Sequence, residues 1–525
     1  MKFQFYIAGC LAILLAACSA PQTGPEAGRA LVDVSAASMG GWAALDAIKS
    51  QEILTGGADW EPLQALAPAA DARQMNTFGQ TTLVDYEKKR LRITFDAVRV
   101  YPSTAPVKFT EVIDGDVGLL QSPDANNKVV SERLHPSRYA TRLRDFNRLP
   151  LRLLYTAKNA PDLRREADKP GGKVKIEVLK YTDAGLSVEL QIDSFNQLPA
   201  RVIYTEDDPV EGDSSNEVAF ADWKDAGGGV RLPQTITTYV NGKKLREERV
   251  RTLINNPKID DASFAIPEEI RAQPENGQRI VSQWTLRRII NGVGYADFGR
   301  PQKVDFVPVA PGVFHITGGS HNSMVVELKD GLLVMEMPLF EERSVAVLRA
   351  LEDKFPGKPV KYGVITHYHV DHTGGIRAYA AKGVTLLAHE SIVPWVNSVL
   401  ARPKTIRPDS LAQAGGSKGT VEGVADSKTI TDGERTIELR SIPNAHATGM
   451  LVAYLPKEKV LFVSDLFSPG NPLAPGDQTA NAYALFTALT KANLAIDRIV
   501  GGHGGVGAFR DLAKLMSDTP KPIKL

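Results

Sequence analysis

Residues 364–375 read Val-Ile-Thr-His-Tyr-His-Val-Asp-His-Thr-Gly-Gly, and no other stretch constrains the fold as much. Four metal-binding side chains, His367, His369, Asp371 and His372, fall within six residues. Val364 and Ile365 predict a strand leading in, and a glycine turn followed by a helix from Ile376 to Ala381 leads out. At a strand end His367 and His369 point to one side and can share an ion. The turn then re-aims Asp371 and His372 toward a neighbouring site. A packed core has no use for four polar groups in one turn, because each would need a compensating partner once buried. Imidazoles mixed with a carboxylate suit zinc or another borderline divalent metal.

The remaining histidines sharpen this reading. Of nine in the chain, only His135 precedes residue 300; the others are His315, His321, His367, His369, His372, His389, His446 and His503. His446 follows an expected strand over Thr436–Ile442, and His503 follows the apolar run before Gly501. Asp465 ends the expected strand Val460–Val463, which is entered through the Pro456–Lys459 hairpin turn. Each of these residues stands where a buried strand gives way to a loop, the usual place for chemistry presented by a rigid scaffold.

The run His-x-His-x-Asp-His, followed by single His, Asp and His residues at strand ends, resembles the metallo-β-lactamase fold hydrolases over about residues 303–525. The ligand pattern is similar to that of glyoxalase-II-like enzymes, with subclass B3 β-lactamases as another relative. The resemblance implies an αβ/βα sandwich with the site along one edge of its two sheets. It implies that His367, His369 and His446 hold a first metal and Asp371, His372 and His503 a second. In the glyoxalase-II-like pattern Asp465 bridges the two; a B3-like pattern does not require the bridge. The implied cofactors are two zinc ions, with iron or manganese as alternatives. Such a pair, about 3.5–4 Å apart, activates a shared water for attack on a carbonyl or similar electrophile, and Asp371 is the candidate catalytic residue that orients it. Subclasses that use a cysteine ligand are excluded, because the only cysteines are Cys10 and Cys18.

A chain of 525 residues exceeds one core. The first residues, MKFQFYIAGCLAILLAAC, combine Lys2 with an apolar run from Ile7 to Ala17 that is short for a bilayer. They resemble a bacterial lipoprotein signal, residues 1–17, with Leu15-Ala16-Ala17-Cys18 as lipobox. The resemblance implies cleavage before Cys18, lipidation of its sulfur and, with Ser19 next, delivery to the periplasmic side of the outer membrane. The mature chain then keeps one acylated cysteine, so it forms no internal disulfide and offers no thiolate ligand. No later run approaches about 20 apolar residues.

A tether over 18–32 leads into a β-rich domain over 33–270. There, Leu91, Ile93 and Phe95 alternate with charges, as do Val174, Ile176 and Val178, then Val188, Leu190 and Ile192, then Val202 and Tyr204, then Ile236 and Thr238. Turn signals such as Asn241-Gly242 separate them, which predicts a largely antiparallel sheet with one polar face. A basic helical stretch, Arg138–Tyr155, interrupts it, and Pro150 predicts a break. The segments LSVELQIDSFNQLPARVIYTE and VRLPQTITTYVNGKK resemble the curved half-barrel of outer-membrane lipoprotein carriers. That implies either a concave surface for something apolar or a spacer between anchor and enzyme. A linker over 271–302, with a connecting helix from Trp284 to Ile290, precedes the catalytic domain over 303–525. The expected fold class is therefore α+β, an αβ/βα sandwich preceded by a mostly antiparallel domain.

The net charge of +1 argues against a nucleic-acid partner that relies on phosphate neutralisation. A small-molecule substrate is expected, of ester, lactone, thioester or β-lactam type, with contact to the membrane through lipidated Cys18. Two other readings stay open: a mononuclear iron persulfide dioxygenase, and a non-catalytic ligand-binding lipoprotein. His321 and Asn322, after Gly318-Gly319, are candidates for substrate contact or a plain turn. His389 and Glu390 are expected to support a ligand or lie at the surface. Residues 402–427 are long for a loop and are expected to flank the pocket. The glycines around His503 predict close backbone approach near the metals.

Overall fold

The computed structural model describes residues 23–519 apart from 125, 283, 285–286, 288–297 and 474–476. The signal segment, Cys18 and most of the expected connecting helix lie outside the described residues.

Residues 50–255 build one thirteen-stranded antiparallel sheet. Its first strand, Ser50–Glu61, and its last, Lys243–Asn255, lie side by side in the middle, with Gln51 opposite Asn255. The chain works outward from Ser50–Glu61 to one edge at Val129–Arg133, then crosses to the other edge at Arg164–Gly171 and works back. The alternation read from the sequence becomes facing: Val188, Leu190, Ile192 and Val202 are fully buried in one cluster with Leu153, Leu163 and Tyr181. The crossing segment is helical over Pro136–Asn147 and Leu153–Asn159, interrupted around Pro150 as expected. It covers the sheet around a cavity of about 210 Å³ lined by Ile53, Leu91, Ile93, Phe146, Leu149 and Phe220. The stretch read as a tether turns helical at Pro25: the helix Pro25–Ser38 buries Leu31, Val32 and Ala36 in the same cluster as Leu190.

The C-terminal region is a sandwich. One sheet has seven strands, in chain order from Asp305–Ala310 to Val421–Val424, antiparallel through Gly331–Met335 and parallel thereafter. The other has six, from Ser427–Thr431 to Val506–Ala508. Side chains along a strand alternate between the two faces of its sheet. Accordingly Met324, Val326, Leu333 and Met335 meet Ile437, Leu439, Val460 and Phe462 between the sheets. Val325, Leu332 and Val334 face outward under the helices Glu341–Lys354, Ile376–Ala381 and Val393–Ala401. Leu461 and Val463 face outward under Asp477–Lys491 and Phe509–Asp518. Burial on both faces explains why these strands read as unbroken apolar runs.

Trp284 anchors the segment between the regions: it is fully buried against Phe298 and Phe340 in the cluster between the outer face of the seven-stranded sheet and its helices. Arg287 pairs with Glu61 and Asp208 of the β domain. Residues 402–405, the start of the 402–427 stretch expected to flank the pocket, dock on that domain. Lys404 pairs with Asp207, Arg402 donates to the Val210 carbonyl at 2.9 Å, and Thr405 bonds Asp213. Among the described residues no helix is long and apolar enough to cross a membrane.

Candidate metal centre

The strand Val360–Val364 gives way to a loop that carries His367 and His369, and the short helix Val370–Thr373 then carries Asp371 and His372. The turn behind them admits only glycine: a Cβ on Gly374 would sit 1.7 Å from the Leu339 carbonyl oxygen. His446 follows Thr436–Ser441, Asp465 follows Val460–Val463, and His503 follows Arg498–Gly501. All four segments converge at one edge of the sandwich.

The donor atoms form two facing pairs. His367 and His446 present their Nε2 atoms to each other at 3.3 Å. His372 and His503 do the same at 3.3 Å. Asp465 lies between the pairs with one oxygen for each. Its Oδ2 is 3.1 Å from His446 Nε2 and 3.9 Å from His367 Nε2. Its Oδ1 is 2.9 Å from His372 Nε2 and 3.0 Å from His503 Nε2. His369 joins the first pair, so that His367, His369, His446 and Asp465 could hold one ion.

The second group gains a residue outside the expected set: His321 forms a potential triad with His372 and His503. Asp371 lies beside it, its Oδ2 3.2 Å from His321 Nε2 and 4.0 Å from His372 Nε2. His321 reaches this position because Asn322 clips its loop to that of His503, bonding the Gly502 and Gly504 carbonyls through its backbone N–H and its side-chain amide, both at 2.8 Å. A Gly-Gly-Ser-His-Asn turn carries no local signal that its histidine will face another from a distant loop.

Sequence reasoning also missed Glu336. It follows the strand Gly331–Met335 with φ +64°, a conformation that costs a non-glycine residue on the order of 1–3 kcal/mol. The turn aims its fully buried carboxylate inward. There it accepts from Thr366 Oγ1 at 2.5 Å and faces His372 Nδ1 at 3.1 Å. With Nδ1–H directed at Glu336, His372 is left with Nε2 as its free donor atom.

Two further histidines have structural roles. His315 bonds the Gly501 carbonyl at 2.9 Å and holds the His503 loop. His389 caps the turn Glu390–Ile392 by accepting from Ser391 N–H. The glycines at the His503 loop answer to close protein contacts, since a Cβ on Gly502 would lie 2.8 Å from Glu336 Oε2.

Burial and the charges of His372 and His369 keep His367 well below the ordinary histidine range. Burial and His446 do the same to His369. Burial, with His503 nearby, lowers His321 to about 3. These rings are neutral and present lone pairs. Burial opposes charging His372, yet Asp465 and Glu336 outweigh it and hold its pKa well above the usual value. Burial would raise Asp465, but His372, His503 and His446 hold it well below the usual carboxylate range. Cation binding at His372 therefore displaces a proton.

The donor set fits a divalent metal. His369 Nδ1 is buried and has no hydrogen-bond partner, a costly state for a lone pair that a cation would relieve.

A family model described as "Metallo-beta-lactamase superfamily" matches residues 312–503. The C-terminal region is a metallo-β-lactamase superfamily domain. A metallo-β-lactamase type 2 of Bacillus sp. (strain 170) is 24% identical over 227 residues, 42% of this chain and 80% of that protein. The 2,4-dinitroanisole O-demethylase subunit alpha of Nocardioides sp. (strain JS1661) is 29% identical over 163 residues, 31% of this chain. The chain spans only 46% of that subunit's length. A linear primary-alkylsulfatase of Pseudomonas sp. is 35% identical over 74 residues, 13% of this chain and 11% of the sulfatase. Among solved structures, a metallo-β-lactamase from Pontibacter korlensis has 19% identity and a TM-score of 0.31, covering 41% of this chain and 98% of its own. The matched superfamily segment contains His321, Glu336, the His367–His372 cluster, His446, Asp465 and His503.

Proposed function

We propose that the superfamily domain is a dinuclear metal-dependent hydrolase, with zinc as its metal, acting on a small ester, lactone, thioester or β-lactam. One observation carries this reading: Asp465 sits between two facing imidazole pairs, 2.9–3.1 Å from three of their Nε2 atoms. His367, His369, His446 and Asp465 would hold one ion, and His372, His503 and Asp465 the other, with His321 or Asp371 completing the second set. Two such ions supply an acidified water and polarise the bond under attack.

The chain's own residues supply the rest. Glu336 and Thr366 hold His372 and His367 in one orientation. Asp371, bonded to His321 and to Gln64, offers a fixed carboxylate for orienting a water or accepting its proton. His367, His369 and His372 are fully buried, which strengthens the charge interactions among them. We further propose that the chain is anchored through Cys18 on the periplasmic side of an outer membrane, with no nucleic-acid partner.

Elemental analysis of purified protein, followed by a hydrolysis screen over the four bond types, tests this. Two zinc ions per chain and turnover abolished by His367→Ala are expected. One iron per chain with oxygen consumption would replace the hydrolase by an oxygenase.

A further inference from the structure

We propose that the N-terminal β domain is a working part of the metal centre, with Ala65 and Tyr101 selecting which nitrogen His369 and His446 offer to a cation and Gln64 orienting Asp371. This rests on the metal-binding reading above and extends it to residues far from the superfamily segment.

The selection follows from what each group can donate. The Ala65 carbonyl can only accept a hydrogen bond. It lies 2.9 Å from His369 Nε2, so the hydrogen of a neutral His369 ring sits on Nε2 and the lone pair sits on Nδ1. That Nδ1 is the buried, unpartnered atom. The Tyr368 hydroxyl donates to the same carbonyl. The carbonyl is held on both sides: Glu61 accepts from Leu63 N–H at 3.1 Å, and the next carbonyl, Leu66, accepts from Thr448 N–H at 2.7 Å.

Tyr101 acts on the opposite ligand. Its hydroxyl is 2.6 Å from His446 Nδ1. His446 can give its Nε2 lone pair to an ion only if Nδ1 carries the hydrogen, so the Tyr101 oxygen is the acceptor in the loaded centre. Arg73 fixes this pair, lying 4.0 Å over the Tyr101 ring and donating to the His446 carbonyl at 3.1 Å. Gln64 Nε2 donates to Asp371 Oδ1 at 2.6 Å, which leaves Oδ2 for His321 and the site.

A surface that merely docks two domains has no reason to direct three polar groups at metal-binding residues. The contacts of residues 402–405 show what plain docking looks like: they pair with Asp207, Glu211 and Asp213 and touch no member of the centre.

The test uses the full-length chain and its variants Tyr101→Phe, Gln64→Ala and, as docking control, Arg402→Ala. Metal affinity is read by chelator competition, and ligand geometry by the visible spectrum of the cobalt-substituted protein. Loss of such an outer hydrogen bond typically weakens metal binding about 10–100-fold. Tyr101→Phe is expected to weaken retention by that factor and shift the cobalt bands, with the metal-free protein still folded by circular dichroism. Gln64→Ala is expected to shift the bands, and Arg402→Ala to do neither. A wild-type chain holding two metals beside a Tyr101→Phe variant with unaltered affinity and spectrum overturns this inference alone. Equal weakening by Arg402→Ala overturns it too. A wild-type chain that takes up no metal overturns the metal-centre reading and this inference with it.

Discussion

Replacing Glu336 by glutamine keeps the shape of a fully buried side chain and removes its charge. The carboxylate now serves two donors, Thr366 Oγ1 at 2.5 Å and His372 Nδ1 at 3.1 Å. The two donors use different oxygens, Oε1 and Oε2, and glutamine keeps an acceptor at only one of these positions, so it cannot accept from both. Thr366 can adapt, since its hydroxyl oxygen can accept from the amide N–H in place of donating to a carboxylate. In the best arrangement the amide oxygen therefore stays with His372. A bond to a charged partner is worth about 1.5–3 kcal/mol and a neutral one about 0.5–1.5, so His372 loses about 1–2 kcal/mol of support. That corresponds to about 5–30-fold weaker binding of the ion that His372 ligates. Elemental analysis after graded chelator dialysis reads this directly. Glu336→Gln is expected to drop to one metal per chain at a chelator concentration where the wild type keeps two. A variant that keeps both at wild-type affinity would refute the role given to Glu336. So would loss of both ions together.

Gly374→Ala is expected to prevent assembly of the centre, because its Cβ would sit 1.7 Å from the Leu339 carbonyl; absence of bound metal by elemental analysis checks it. Phe462→Ala opens a hole between the two sheets, where the side chain is fully buried, and is expected to cost about 3–5 kcal/mol in a denaturant titration. His135 is lowered to about 4 by burial and by the charge of Arg300. The unfolded chain, with a value near 6.5, binds more protons than the folded one between these two pH values. Its contribution to stability is then complete above about 6.5 and declines as pH falls toward 4. His135→Asn should flatten melting temperature over that window, and the ring's proton resonances should titrate near its lower end. Arg144 pairs with Glu206 in full burial, so Arg144→Ala is expected to cost about 3–5 kcal/mol. Arg144→Met with Glu206→Leu should cost less, as measured in a double-mutant cycle.

The parts of the site that were legible in the sequence are those written locally. His367, His369 and His372 share one turn, and His446, Asp465 and His503 each follow an apolar strand, so pattern and position agreed. The β domain was legible for the same reason, since alternation such as Val188, Leu190 and Ile192 depends only on neighbours. Glu336 was not legible: a glutamate ending a strand looks like any exposed charge, and its inward aim comes from a left-handed backbone turn. His321 looked like a turn residue because its place is set by Asn322 gripping a loop nearly two hundred residues away. Ala65 was beyond reach, because its contribution is a backbone carbonyl that any residue would carry. The expected roles of the β domain, a concavity or a spacer, left out the contacts of Gln64, Ala65 and Tyr101 with the centre.

The pairing of Ser50–Glu61 with Lys243–Asn255 also sets an order in time. Gln51 cannot meet Asn255 until some two hundred intervening residues have been synthesised. Until then, the strand that precedes Gln64 and Ala65 is a bare edge, open to pairing with any other extended chain. Contacts this distant in sequence form slowly. On the ribosome, the residues that orient His369 and His446 thus wait for the sheet to close behind them. Residue 255 leaves the ribosome more than a hundred residues ahead of His367, so the half of the cradle that carries Gln64, Ala65 and Tyr101 has its last strand in hand before the first clustered histidine is made.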